Sequence, residues 1–365
     1  MRVLYDYQKF STQRAGGITR YFAELFRNFS PETEPVVSLK FNRNMYISGE
    51  DRLFVRNVVD YDFSFRGRKI LVSALDRVNK AYSEHDIVCQ EYDILHPTYY
   101  GCYFFDMKRP DRPVVVTVHD MIQEIFPSDF SRRVIAEKKR QIFESDHIIA
   151  VSQNTRKDIL SIYPEIDPAK ISVIYHGTSF KDLVPEDGPW PSRYLLYVGR
   201  RGGYKNFMPF VRNLKPLADK VKDLSIVCVG DALLPSEKKA LAEMGMLGRV
   251  TAMKASDAQL LSLYMHAEAF VFPSLYEGFG LPVLEAFRAG CPVVLADASC
   301  FQEVADDAAL YFTPGDAESL CEAVSLCLEN KYLCMKMKER GRERLRLFDW
   351  RKSALALEKV YASLA

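Results

Sequence analysis

Two carboxylates, Glu277 and Glu285, stand eight positions apart in the stretch 272–290, FPSLYEGFGLPVLEAFRAG. Between them lie Gly278 and Gly280, which allow close backbone approach, and Pro282, which suits a first helical turn because its missing N–H costs nothing there. A helix starting near Leu281 would aim its unpaired N–H groups and positive dipole end into the loop, a seat for phosphate. Glu285 then falls in the first turn, on the side facing whatever the loop holds. An acid beside an anion seat suits a ligand with both phosphates and hydroxyls, such as a nucleotide sugar.

Three further clusters carry chemistry. Residues 199–206, GRRGGYKN, follow an apolar run, and their glycines and cations suit a diphosphate: an arginine offers a planar fork to phosphate oxygens and a lysine a point charge. His119-Asp120 ends the apolar run VVVTV; a lone histidine there is either a substrate contact or a hydrogen-bonded structural residue. Gly16-Gly17 precedes a helical pattern, where it either brings a backbone N–H to a phosphate or makes a tight turn. Asp60 and Asp62 form a DxD that could hold a metal, but no second ligand cluster accompanies it. Neither GxGxxG nor GxxxxGK[ST] occurs, which counts against a dinucleotide fingerprint and a P-loop.

The elements that must position these groups alternate strand and helix. Short runs that are apolar on both faces predict central parallel strands at 2–5, 94–96, 114–118, 148–151 and 171–174, then at 194–198, 225–229, 250–251, 269–272 and 293–295. Ile18, Tyr21, Phe22, Leu25, Phe26 and Phe29 recur at helical spacing; residues 69–82, 131–145 and 350–364 also read as helices. The proline- and acid-rich segment 182–192 reads as a linker. Two α/β domains follow, residues 1–185 and 186–349, as doubly wound sheets facing a cleft, with ligands beyond the carboxyl ends of the strands.

At 365 residues the chain exceeds one ordinary core. A net charge of +1 gives no global pull toward nucleic acid or membrane, and no nucleic-acid partner is expected. MRVLYDYQKF does not read as a signal peptide, and no apolar window reaches membrane-span length. The eight cysteines form no CxxC pair and read as buried, reduced thiols of a cytoplasmic protein. Arg132, Arg133, Lys138, Lys139 and Arg140 make the helix near 132–144 basic: either a solvated face or a surface for anionic membrane or a lipid-phosphate acceptor.

FPSLY followed by EGFGLPVLEAFRAGCPVV resembles the signature of the family 4 retaining glycosyltransferases, which have the GT-B fold. AGGITRYFAEL (15–25), TVHD (117–120), AVSQNTRKDI (150–159), VIYHGTSF (173–180), YVGRRGGYKN (197–206) and ADASCFQEVADDAALYFTPGD (296–316) resemble further family blocks in the family's order, as does FDW at 348–350. The resemblance implies that Glu277 lies against the donor sugar, that Glu285 binds the ribose hydroxyls, and that the backbone of Gly278, Phe279, Gly280, Leu281 and Pro282 meets the diphosphate. It places Arg200 and Lys205 on that diphosphate, with Arg201 competing for the role of Arg200. His119 is expected to approach the transferring sugar, and Gly16 and Gly17 the phosphates. No metal or other cofactor is implied beyond the nucleotide diphosphate sugar as co-substrate, and the last helix, 350–365, is expected to return to the first domain.

These expectations amount to retaining transfer of a sugar, with mannose from GDP-mannose as first choice, to a glycan or lipid-linked glycan acceptor in polysaccharide biosynthesis. The departing phosphate would help deprotonate the acceptor. The alternatives are a nucleotide-sugar epimerase or sugar phosphorylase of the same fold, and a non-catalytic binding paralogue. The expected location is cytoplasmic, with peripheral contact at the inner membrane face through the basic helix.

Overall fold

A computed structural model of the chain describes residues 1–47, 58–61, 68–178, 180 and 183–365. Asp62 of the DxD and Asp182 at the start of the proline-rich segment lie outside the described residues. The chain forms two compact units, Met1–Gly177 with Trp350–Ala365, and Thr178–Asp349.

The first unit is built on parallel strands. β1 (Arg2–Tyr5) lies between β2 (Glu34–Val37) and β5 (Ile94–His96), and β7 (His147–Ala150) lies between β6 (Val115–Val118) and β8 (Ile171–Val173). A parallel bridge from Leu95 to Val114 joins the two sets, giving the order β2-β1-β5-β6-β7-β8. β3 (Phe41–Asn42) and β4 (Val59–Asp60) pair separately, and Asp60 accepts a 2.9 Å hydrogen bond from Asn42 there. β2 is absent from the sequence reading because Glu34 and Pro35 break its apolar run; only its place beside β1 makes it a strand.

The helix Gly17–Asn28 buries Tyr21, Phe22, Leu25 and Phe26, the spacing anticipated for it. Against it packs the final helix, Trp350–Leu364. Tyr361 of that helix shares hydrogen bonds with the Tyr5 hydroxyl at 2.8 Å and His96 Nδ1 at 2.6 Å, and Glu358 accepts from the backbone and hydroxyl of Ser30. Burial of Leu357 and Tyr361 contributes roughly 1.5–3 kcal/mol each to this return.

The second unit is one six-stranded parallel sheet, in the order β11-β10-β9-β12-β13-β14. Its strands are β9 (Tyr194–Val198), β10 (Ser225–Val229), β11 (Val250–Met253), β12 (Ala269–Phe272), β13 (Val293–Ala296) and β14 (Leu310–Phe312). β12 and β13 are buried throughout, as central strands flanked by helices must be. The strand order reverses between β9 and β12, so the loops leaving their carboxyl ends diverge and leave a crevice, the place where open α/β sheets bind ligands.

Two readings need correction. Cys89 is exposed and Cys321 and Cys334 are half-buried, so the cysteines are not uniformly core; Cys89 ends an amphipathic helix, Arg68–Cys89, on its solvent side. The basic helix Arg132–Glu144 does not present all its cations: Lys138 is fully buried, because its ammonium donates to the Asp120 carbonyl (2.6 Å), Gln123 Oε1 (2.8 Å) and Glu124 Oε2 (2.7 Å). No helix among the described residues is long and apolar enough to cross a membrane.

Candidate active site

The crevice of the second unit gathers most of the residues singled out by type. After β9 comes Gly199, whose φ of +127° only glycine adopts easily, and the chain turns through Arg200, Arg201 and a short 3₁₀ turn, Gly203–Lys205. Gly230, at the end of β10, makes that turn possible: a Cβ there would stand 2.8 Å from the Gly199 carbonyl oxygen. β12 leads into Glu277. Its neighbour Leu275 donates its N–H to the Tyr204 carbonyl at 2.8 Å, tying the two loops together.

Lys205 and Glu277 meet across the crevice, with Nζ 2.5 Å from Oε1 and both side chains largely buried. Phe272 and Tyr204 place their rings about the ammonium, at 5.5 and 5.3 Å. Ser299 fixes Glu277 from behind, its hydroxyl accepting the Glu277 N–H at 3.0 Å. Ser299 holds a φ of +49°, a conformation an ordinary side chain resists, so this contact is held by the loop after β13. Nothing in the residue type of Ser299 marked it beforehand.

The helix Leu281–Ala289 begins where expected. Gly280 caps it at φ +90°, and a Cβ there would approach the Phe301 ring to 3.3 Å. Pro282 has no N–H, and that of Val283 turns back to the Gly280 carbonyl at 2.9 Å, so the amide of Leu281 leads the helix end. Gly278 lies in the same loop, and Phe279 is buried edge-on against Phe348, 5.6 Å between centroids. Glu285 is 6% exposed and accepts a 3.4 Å hydrogen bond from Tyr264, a second partner the sequence did not advertise.

The two adjacent arginines have separate fates. Arg201 is 8% exposed and locked by four bonds: Nε and Nη2 each lie 3.0 Å from a Glu237 oxygen, Nη1 donates to the Asp231 carbonyl at 2.7 Å and Nη2 to the Ala232 carbonyl at 2.8 Å. Every nitrogen of its fork is spent on structure. Arg200 is exposed, and its backbone carbonyl is held by the Tyr197 hydroxyl. Beside it opens a cavity of about 550 Å³ beyond the ends of β9, β10 and β11, lined by Gly199–Gly202, Gly230 and Lys254.

In the first unit, His119 stands at the carboxyl end of β6. Its backbone N–H donates to the Tyr100 hydroxyl at 3.2 Å, and its ring meets Tyr21 edge-on at 5.1 Å. Burial, with His176 next in effect, holds its pKa well below the usual histidine range, so the ring is neutral at physiological pH. Its Nε2 is shut off from solvent with no hydrogen-bond partner among the described residues. Gly16 precedes the helix Gly17–Asn28 in extended backbone that any residue adopts, and among the described residues no side chain caps that helix end.

The sequence pattern of the family described as glycosyl transferases group 1 matches residues 185–344, and that of glycosyltransferase family 4 matches residues 15–181. The chain belongs to the group 1 glycosyltransferases. O-antigen chain mannosyltransferase RfbU of Salmonella typhimurium is 32% identical over 58% of this chain, a match spanning 60% of that protein. O-antigen chain mannosyltransferase B of Escherichia coli is 26% identical over 92% of both chains. The fold of this glycosyltransferase is GT-B, with two Rossmann-like α/β domains: Anabaena HepE, solved in complex with UDP-glucose, superposes with a TM-score of 0.72 over 100% of both chains at 17% identity.

Proposed function

We propose that this glycosyltransferase moves a sugar from a nucleotide diphosphate donor to a hydroxyl of a glycan or lipid-linked glycan during polysaccharide assembly, with retention of configuration. Mannose from GDP-mannose is the first choice, supported by the mannosyltransferase names of the two relatives. The observation that carries the reading is the crevice between β9 and β12, where Lys205 and Glu277 pair, with the exposed Arg200 on the loop that follows β9 and the amide end of Leu281–Ala289 on the loop that follows β12.

The reaction's demand is electrostatic, since two phosphates gain charge as the glycosidic bond breaks. Fixed positive groups aimed at that charge are commonly the largest catalytic contribution. Arg200, Lys205 and the Leu281 amide take that task, while Arg201 holds the loop. Glu277 holds the donor sugar, and Lys205 exchanges its carboxylate for phosphate when the donor arrives. Glu285, buried and polar beside the helix start, takes the ribose hydroxyls. The departing phosphate accepts the acceptor's proton on the same face. His119, neutral, serves as a hydrogen-bond partner rather than a cation, and no bound metal is required.

Incubation of the full chain with GDP-, UDP-, dTDP- and ADP-sugars, with and without lipid-linked and free glycan acceptors, tests the reading. Transfer that requires an acceptor, with the product's new linkage keeping the donor's anomeric configuration by NMR, supports it. Donor consumption without acceptor indicates an epimerase, dependence on phosphate a phosphorylase, and inversion refutes the retaining course. Nucleotide-sugar binding without turnover across the panel leaves a binding paralogue.

A further inference from the structure

Cys327 and Cys334 are seven residues apart. In an unbroken helix that spacing would hold their Cα atoms about 10.5 Å apart, too far for a disulfide. The helix does break. Ala317–Glu329 stops at Asn330, whose ψ of +83° leaves the helical region, and Lys331–Arg344 starts at once, with Asn330 Oδ1 accepting the Leu333 N–H at 2.9 Å. The break packs the second helix against the first. Cys334 Sγ then stands 3.2 Å from the Cys327 carbonyl oxygen, and the two thiols are hydrogen-bond partners.

The two sulfurs differ in the way a reactive thiol and its resolving partner differ. Cys334 is half-buried and open in part to small reagents, whereas Cys327 is 4% exposed and shielded from them. The Cys327 S–H donates to the ionised Cys334, and Lys338, one turn further on, adds a positive charge. Together they hold Cys334 below the usual thiol range, against the opposing effects of burial and Glu268. The thiolate is the nucleophile of thiol chemistry. That same hydrogen bond raises the pKa of Cys327, which keeps its proton until Cys334 has reacted.

The other thiols are placed differently. Burial raises the pKa values of Cys102, Cys228 and Cys300, Cys321 donates to the Asn213 carbonyl at 3.4 Å, and Cys89 is exposed at a helix end. The helix that carries Cys334 also backs the candidate active site, since a Cβ on its Gly341 would come 2.7 Å from the Phe287 ring of Leu281–Ala289.

We propose that Cys327 and Cys334 form a peroxide-reactive dithiol, a modification site on the second unit that closes reversibly to an intrachain disulfide. The Cys334 thiolate attacks one oxygen of hydrogen peroxide. The S–O bond forms, the O–O bond breaks, and the departing hydroxide leaves as water with the proton that Cys334 had released. The Cys327 sulfur then attacks the sulfenic sulfur. The S–S bond forms, the S–O bond breaks, and hydroxide leaves with the Cys327 proton as a second water. Two thiols lose two electrons and one peroxide is reduced to two waters; a dithiol reductant reverses the closure.

The test exposes the full chain to a small excess of hydrogen peroxide, alkylates the remaining thiols and digests without reduction, using a protease that cuts after glutamate. Cleavage at Glu322, Glu329 and Glu339 puts each thiol on a peptide of its own, 323–329 and 330–339. The expected product is these two peptides joined, lighter than their sum by two hydrogens and separated again by dithiothreitol. Cys334→Ser and Cys327→Ser, each verified as folded by circular dichroism, should both lose the link. Cys327→Ser should also leave Cys334 as a sulfenic acid that dimedone traps, a label nearly absent from the wild-type chain. The proposal is overturned if Cys89 is oxidised while no 323–329 to 330–339 link forms. It is overturned equally if Cys334 links to Cys291 in preference, or if dimedone labels Cys334 as fully in wild type as in Cys327→Ser.

Discussion

Lys205 and Glu277 form an ion pair at 2.5 Å although 72 residues separate them in the chain, because β9 and β12 are neighbours across the point where the strand order reverses. Neither loop reaches the other's position without that reversal. The pair neutralises two charges in a largely buried crevice, and in the proposed reaction the donor diphosphate replaces the carboxylate as the partner of the ammonium. Glu277→Gln therefore keeps the shape but removes the competing acid. Donor diphosphate affinity should hold or tighten while turnover drops about 10²-fold, the scale of one lost charge-stabilising group. Titration of the nucleoside diphosphate alongside kcat separates the two effects, and equal loss of both would assign Glu277 to binding alone.

Arg200 and Arg201 should separate cleanly. Arg201→Ala strands the nearly buried Glu237 carboxylate and the Asp231 and Ala232 carbonyls, costing about 3 kcal/mol or more. Arg200→Ala should change stability by no more than about 0.5 kcal/mol, as for an exposed side chain, yet weaken diphosphate binding. Denaturant unfolding and nucleotide titration on both variants check this; the reverse pattern would exchange their roles.

Much of this was legible beforehand. Most strands of both units announce themselves by apolar, β-branched runs, though the short β3, β4 and β14 were not read as strands, and the acid–glycine–proline pattern of 272–290 located the helix start at Leu281. What was hidden depends on tertiary neighbours. The choice between Arg200 and Arg201 hinges on Glu237, 36 residues away. Ser299 acts only by standing behind the Glu277 amide, and Tyr264 only by reaching Glu285. Lys138 was counted as a surface cation because its sequence neighbours are basic, whereas Gln123 and Glu124 bury it. β2 is strand only because β1 offers an edge.

Gly280→Ala should destabilise by about 1–2 kcal/mol, since its φ of +90° is poorly tolerated by a side chain. A Cβ 3.3 Å from the Phe301 ring adds crowding at the mouth of the phosphate seat. Thermal unfolding together with diphosphate titration should show both losses; an unperturbed variant would mean the cap geometry is not needed.

Acid should loosen the first unit. Burial pushes the pKa values of His96 and His176 down to about 3, whereas in the unfolded chain they return to the usual range near 6.5. Between those limits the unfolded chain binds the extra protons, so stability is greatest above pH 6.5. It falls on acidification by up to about 1.4 kcal/mol per pH unit for each histidine. Asp6, whose pKa burial raises, acts in the opposite sense. Denaturant titrations across that range should show the decline, and His96→Asn should flatten it.

The central claim rests on Lys205, and the most direct test is kcat of Lys205→Ala in the acceptor-dependent transfer assay, at saturating donor with the fold verified by circular dichroism. The account predicts a fall of about 10²-fold or more. A folded variant turning over near the wild-type rate would contradict it.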